Sequence, residues 1–167
     1  MGIVDEFLSG RKFVKESLGQ MKAHSRSLAA EIVKSKGLPA QIIYIERGGM
    51  VIGRLLSDAL LVRSIYGIRA SYYTGINRRR SAVQIGSLPR IEKPSGYVLL
   101  VDDVADTGKT LQKVAGAIRK RYGAEVLTCT VFYKPRSVIR PDFYAKEVGN
   151  DKWIIFEYEE NEFGRRR

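Results

Sequence analysis

At 167 residues the chain is long enough for one domain with a single well-filled core, and its 44% hydrophobic and 28% charged content excludes a disordered polypeptide. No apolar run approaches the ~20 residues of a membrane span, one cysteine (Cys129) excludes an intrachain disulfide, and one histidine (His24) argues against a zinc site. The net charge of +11 would attract a polyanionic substrate or nucleic acid, yet the basic residues are scattered and lack interleaved aromatics, which reads as a solvated basic surface ending in Arg165-Arg166-Arg167.

The first residues, Met1-Gly2-Ile3-Val4-Asp5-Glu6, lack the basic-then-apolar layout of a secretory leader, so the cytoplasm is the expected compartment. Residues 1–20 are poorly periodic and predict no more than a short helix or an edge segment. Met21, Leu28, Ala29, Ile32 and Val33 recur at helical spacing and predict a helix over 21–36, stopped by Gly37-Leu38-Pro39. His24 lies in it and is expected to be partly exposed and without function. Residues 41–45 predict a strand, Glu46-Arg47-Gly48-Gly49 a glycine turn beside a cation, and Ile52, Leu55, Leu56 and Ala59 the helix behind it. A strand is predicted over 68–73, an exposed loop over 74–82 and a returning strand over 82–88, with Pro89 and Pro94-Ser95-Gly96 marking the next turn.

Residues 97–111 organise the rest. Val98 to Val101 is a short, unbroken apolar run, the mark of a parallel strand buried on both faces. Asp102 and Asp103 cap it, Asp106 follows, and Leu111, Val114, Ala115, Ile118 and Tyr122 predict a helix ended by Gly123. Backbone N–H groups of the turn and of the helix N-terminus favour an anion at one point, with Thr107 and Thr110 adding hydroxyls and Gly108 permitting close approach. The carboxylates upstream suit ribose hydroxyls or a hard cation such as magnesium. A phosphate cradle beside such a pair calls for a sugar phosphate. A nucleoside-triphosphate P-loop is excluded, because the glycine it requires five residues before Gly108 is Asp103. Farther on, strands are predicted over 125–133 (burying Cys129), 143–148 and 153–158. Alternating strands and helices imply a mostly parallel sheet flanked by helices, with the ligand at the carboxyl ends of its strands.

The run from Val98 to Thr110 resembles the phosphoribosyl-pyrophosphate (PRPP) motif of the type I phosphoribosyltransferases. The resemblance spans roughly residues 40–160 and draws nothing from the first forty. It implies an α/β fold of one domain over 1–167, with a core at about 38–135, a small C-terminal hood at about 136–160 and a basic tail at 161–167. In its company Arg47 and Gly48 resemble the family's pyrophosphate loop, often built on a non-proline cis peptide, and Ser71-Tyr72 the start of its lid. Arg78, Arg79 and Arg80 read either as pyrophosphate contacts made on lid closure or as a solvated charge run. PRPP binding is thereby carried to Arg47, Gly48, Ser71, Tyr72, Asp102, Asp103, Asp106, Thr107, Gly108, Lys109, Thr110 and Arg165, with Mg2+ held at Asp102, Asp103 and Glu159, partly through substrate.

The segments Thr130 to Pro135, Pro141 to Tyr144 and Asp151 to Phe156 resemble the hood of the 6-oxopurine phosphoribosyltransferases. That resemblance implies that Lys134 donates to the exocyclic oxygen of the purine, Trp153 stacks on the ring and Ile154 meets its opposite edge. Asp106 would accept or orient the proton of the imidazole ring. The expected activity is purine salvage: phosphoribose passes from PRPP to hypoxanthine, guanine or xanthine, releasing pyrophosphate. A homodimer or homotetramer is expected from the family, with no membrane or nucleic-acid partner. Two rival readings stand beside it. An adenine-type enzyme is opposed by Lys134 and by Asp106, where such enzymes typically carry a small residue. A PRPP-sensing regulator that binds nucleic acid is favoured by the charge and opposed by the base pocket.

Overall fold

Among the described residues of this computed structural model, 12–74 and 81–159 (backbone alone at 72–74, 81 and 82), eleven helices and strands follow in order. They are β1 (Lys12–Glu16), α1 (Leu18–Lys36), β2 (Gln41–Glu46), α2 (Gly49–Leu60), β3 (Ile65–Thr74), β4 (Ser81–Ile85), β5 (Val98–Ala105), α3 (Lys109–Tyr122), β6 (Val126–Tyr133), β7 (Phe143–Glu147) and β8 (Lys152–Phe156). A 3-10 turn, Glu157–Glu159, ends the described chain. The main sheet has the order β4-β3-β2-β5-β6-β7, parallel throughout except for the antiparallel β3–β4 pair.

The apolar run of β5 is continuous because both its faces are covered. Leu99 and Val101 join Met21, Leu28 and Ile32 of α1 and Ile52, Leu56 and Leu60 of α2 on one side. Val98 and Leu100 join Leu111, Val114, Ala115 and Ile118 of α3 on the other. Full burial of such a side chain contributes about 1.5–3 kcal/mol, so the two clusters hold the sheet between its helices. Cys129 lies in the first cluster, fully buried, and burial pushes its thiol pKa up, leaving it inert. Among the described residues no helix is long and apolar enough to cross a membrane.

Four departures from the sequence reading lie toward the chain ends. The segment before residue 20 contains β1, which pairs in parallel with β8, matching Phe13 to Trp153 and Val14 to Ile154. The hood strand that carries Trp153 and Ile154 is therefore half built from the N-terminus, not from the C-terminal segment alone. β7, expected in the hood, is the edge strand of the main sheet, and α1, expected before the core, packs within it. Helix α1 begins at Leu18, because Ser17 and Gln20 form a reciprocal capping box at its start.

Candidate active site

The strand order reverses between β2 and β5, and the loops leaving their carboxyl ends open a crevice there. The loop after β2 holds Arg47, Gly48 and Gly49, and its Glu46–Arg47 peptide bond is cis. A Cβ on Gly48 would lie 2.2 Å from Asp103 Oδ2, and one on Gly49 would lie 2.6 Å from the Val101 carbonyl oxygen. No side chain fits at either position, so the glycines let this loop press directly on the acidic end of β5.

The loop after β5 turns at Gly108, whose φ of +70° lies in the left-handed region. A Cβ there would also strike Ser137 Oγ at 2.0 Å, which makes glycine doubly required. The Val138 N–H donates to the Thr107 carbonyl at 2.9 Å and ties the loop after β6 over this one. Whereas α1 is capped, neither α2 nor α3 has a side-chain cap or an acid in its first turn. Their first N–H groups favour an anion in the crevice. Thr107 and Lys109 are exposed and Thr110 half-buried at the start of α3.

Asp102 and Asp103 are half-buried side by side, and the Asp103 N–H donates to Asp102 Oδ1 at 3.0 Å. Burial, then the charge of Asp103, pushes the Asp102 carboxyl well above its usual range. Burial, then the charge of Glu159, pushes Asp103 up to about 6. Glu159 thus acts on Asp103. Thr130, the register partner of Asp102, has a buried hydroxyl with no hydrogen-bond partner among the described residues, and burial and these same carboxylates keep Tyr158 protonated. Such crowding of negative charge fits a hard cation. No group of three or more carboxylate, histidine or cysteine side chains among the described residues could enclose one alone, so the donor set suits an ion shared with substrate oxygens.

Asp106 lies farther along the loop, where Lys134 Nζ reaches its Oδ1 at 3.0 Å. Arg136 reaches the same oxygen through Nε at 2.9 Å and Nη2 at 2.5 Å. Burial would raise the Asp106 pKa, but the hydrogen bonds and charges of Arg136 and Lys134 outweigh it and hold the carboxyl below its usual range. Arg136 escapes the sequence motifs. The readable signal is Pro135 between two cations: Lys134-Pro135-Arg136-Ser137 forms a turn closed by Ser137 N–H on the Lys134 carbonyl at 2.9 Å. Trp153 is half-buried and Ile154 buried on β8, in the two-stranded hood rather than the main sheet. Ser71 is exposed on β3; the Tyr72 side chain, Arg78, Arg79, Arg80 and Arg165 lie outside the described residues.

The fold is α/β, with a crevice at the switch point of its sheet lined by two capless helix N-termini and an acidic pair. A family model, the phosphoribosyl transferase domain, matches residues 16–162, including the α1 segment that the sequence motifs leave out. A purine phosphoribosyltransferase from Pyrococcus horikoshii is similar at 31% identity and a TM-score of 0.78, over 89% of this chain and 95% of that one. The Helicobacter pylori xanthine-guanine-hypoxanthine phosphoribosyltransferase shares the fold at 24% identity and a TM-score of 0.81, over 91% and 97%. A Staphylococcus aureus hypoxanthine phosphoribosyltransferase does so at 21% identity and 0.67, over 80% and 76%. The chain belongs to the type I phosphoribosyltransferase family.

Proposed function

We propose that this pentosyltransferase moves phosphoribose from PRPP to a 6-oxopurine, with Lys134 and Asp106 reading the base. One observation carries the choice: a buried ammonium and a carboxylate stand 3.0 Å apart, donor beside acceptor. The imidazole edge of an oxopurine offers the complement, an oxo acceptor beside a ring N–H donor. Adenine places an amino group opposite the ammonium, donor against donor. The purine-enzyme likeness of the fold supports the same class.

In this reading the loops at Arg47-Gly48 and at Thr107 to Thr110 hold the phosphates through backbone N–H groups, and Asp102 and Asp103 hold the ribose hydroxyls. Magnesium arriving with PRPP would be held by Asp102 and Asp103 together with substrate oxygens, and would supply neutralisation of the departing pyrophosphate. As the anomeric C–O bond breaks, pyrophosphate leaves with the electron pair, and the carboxylates stabilise the oxocarbenium-like carbon. A base nitrogen bonds to that carbon, and the imidazole-ring proton passes to Asp106. Lys134 turns from Asp106 to the oxo group, which removes one positive neighbour and raises the proton affinity of Asp106 as the base arrives.

The test measures pyrophosphate from protein, PRPP and magnesium with hypoxanthine, guanine, xanthine and adenine separately. At least one oxopurine should react, with adenine slower by about 10⁴ in kcat/KM. Lys134→Ala should collapse that ratio and leave the PRPP dissociation constant in place. A wild-type ratio near one returns the adenine-type reading.

A further inference from the structure

Three N–H groups from two cations fall on a single oxygen, Asp106 Oδ1. The two cations have different environments. Lys134 is 3% exposed at the end of β6, whereas the Arg136 side chain is 44% exposed on the turn beyond it. Arg136 is nonetheless fixed. It stands in the turn closed by Ser137, and its backbone N–H donates to Asn150 Oδ1 at 3.1 Å, in the loop leading to β8. Its guanidinium brings two donors, Nε and Nη2, to that one oxygen, and so anchors it from a fixed planar group where an ammonium acts as a point charge. Among the described residues, the charged groups that act on Asp106 are these two.

The arrangement matters once a base enters. Lys134 cannot serve both Asp106 and an oxo group with equal strength, and a half-buried carboxylate left without a partner would be free to rotate or to hold a proton prematurely. We infer that Arg136 is a positioning residue of the base site: its guanidinium holds Asp106 by one oxygen, so that Lys134 can pass to the base while the carboxylate stays set to receive the ring proton. The inference rests on the 6-oxopurine reading for its account of Lys134. The grip of Arg136 on Asp106 is testable without any base.

The experiment uses Arg136→Ala and Arg136→Lys in the full chain. The Asp106 carboxyl is titrated by 13C NMR, with Asp106→Asn assigning its resonance. In Arg136→Ala the midpoint should rise by about one pH unit or more, the size expected on removing an adjacent opposite charge. Arg136→Lys should fall between, since it keeps the charge and loses the fork. With the base that the wild type uses best, kcat/KM should drop about tenfold to a hundredfold in Arg136→Ala, as for a mispositioned group, with partial recovery in Arg136→Lys. The PRPP dissociation constant should not move. An unmoved titration overturns the inference. So does a loss of PRPP affinity equal to the loss of base use, which would make Arg136 a PRPP ligand. A wild type that prefers adenine or uses no purine sinks the oxopurine reading instead, and the titration then decides alone whether Arg136 holds Asp106.

Discussion

Asp106 is poised between a burial that favours its protonated form and two cations that favour its ionised form, and the cations win. Its folded pKa lies below the unfolded value. Its pairing therefore contributes stability above about pH 4 that is lost as acid titrates it, the sign expected of a depressed carboxyl. Asp106→Asn keeps an acceptor for Lys134 and removes the proton acceptor. We expect PRPP binding by calorimetry to persist and the single-turnover rate to fall by ~10²–10⁴. Near wild-type turnover in this variant would remove Asp106 from the proton transfer. The loss of charge beside a buried ammonium should also cost on the order of 1–3 kcal/mol in a denaturant melt.

The hood is a joint between the two ends of the chain. β1 supplies the ladder for β8, and the first helical N–H of α1, at Leu18, donates to Glu157 Oε2 at 2.7 Å just beyond β8. Below the strand, Phe156 stacks on Tyr158 with ring centroids 5.1 Å apart and meets Phe132 of the main sheet edge-on at 5.9 Å. This contact chain fixes β8, and with it Trp153 and Ile154, against the main sheet. Glu157→Ala removes the exposed tie at α1. It should cost about 1 kcal/mol and raise the KM for the purine while leaving that for PRPP nearly unchanged. Equal changes in both constants, or in neither, would detach the hood strand from base binding.

The protein as a whole carries a destabilised acidic pair within a basic chain. Both Asp102 and Asp103 bind protons more tightly when folded than when unfolded. Stability therefore falls as pH rises from about 4 through their folded values, and the full cost is present above those values. Replacing both by Asn should raise the stability of the ligand-free protein on the order of 1–2 kcal/mol at pH 7 and leave it nearly unchanged at pH 4. The same variant should bind magnesium–PRPP far more weakly and still bind a simple phosphate, since the backbone cradle is untouched. Thermal melts at the two pH values, with calorimetry for the ligands, check both halves. Unchanged PRPP affinity would remove the pair from sugar and metal binding.

What could be read along the chain was local. The run Val98 to Val101 is legible because a strand covered on both faces needs apolar residues at every position, and α3 because its apolar stripe ends at Gly123. The loops of Arg47-Gly48 and Asp102 to Thr110 were legible for the same reason, as each lies within a dozen residues of its strand. The start of α1 was missed, although Ser17 and Gln20 stand at capping-box spacing. The β1–β8 pairing was not legible: parallel strands nearly a chain length apart leave no mark in either segment, and β1 alone is only a short, mostly exposed run. Nor was the length of β5, which runs on through its own acidic residues because β6 pairs with them, Asp102 opposite Thr130 and Val104 opposite Phe132. The pKa values of the three aspartates and the meeting of Lys134, Arg136 and Asp106 also belong to the folded state. Charge and hydrogen-bond energies depend on separations of a few ångströms between segments about thirty residues apart, and only the packed loops set those distances.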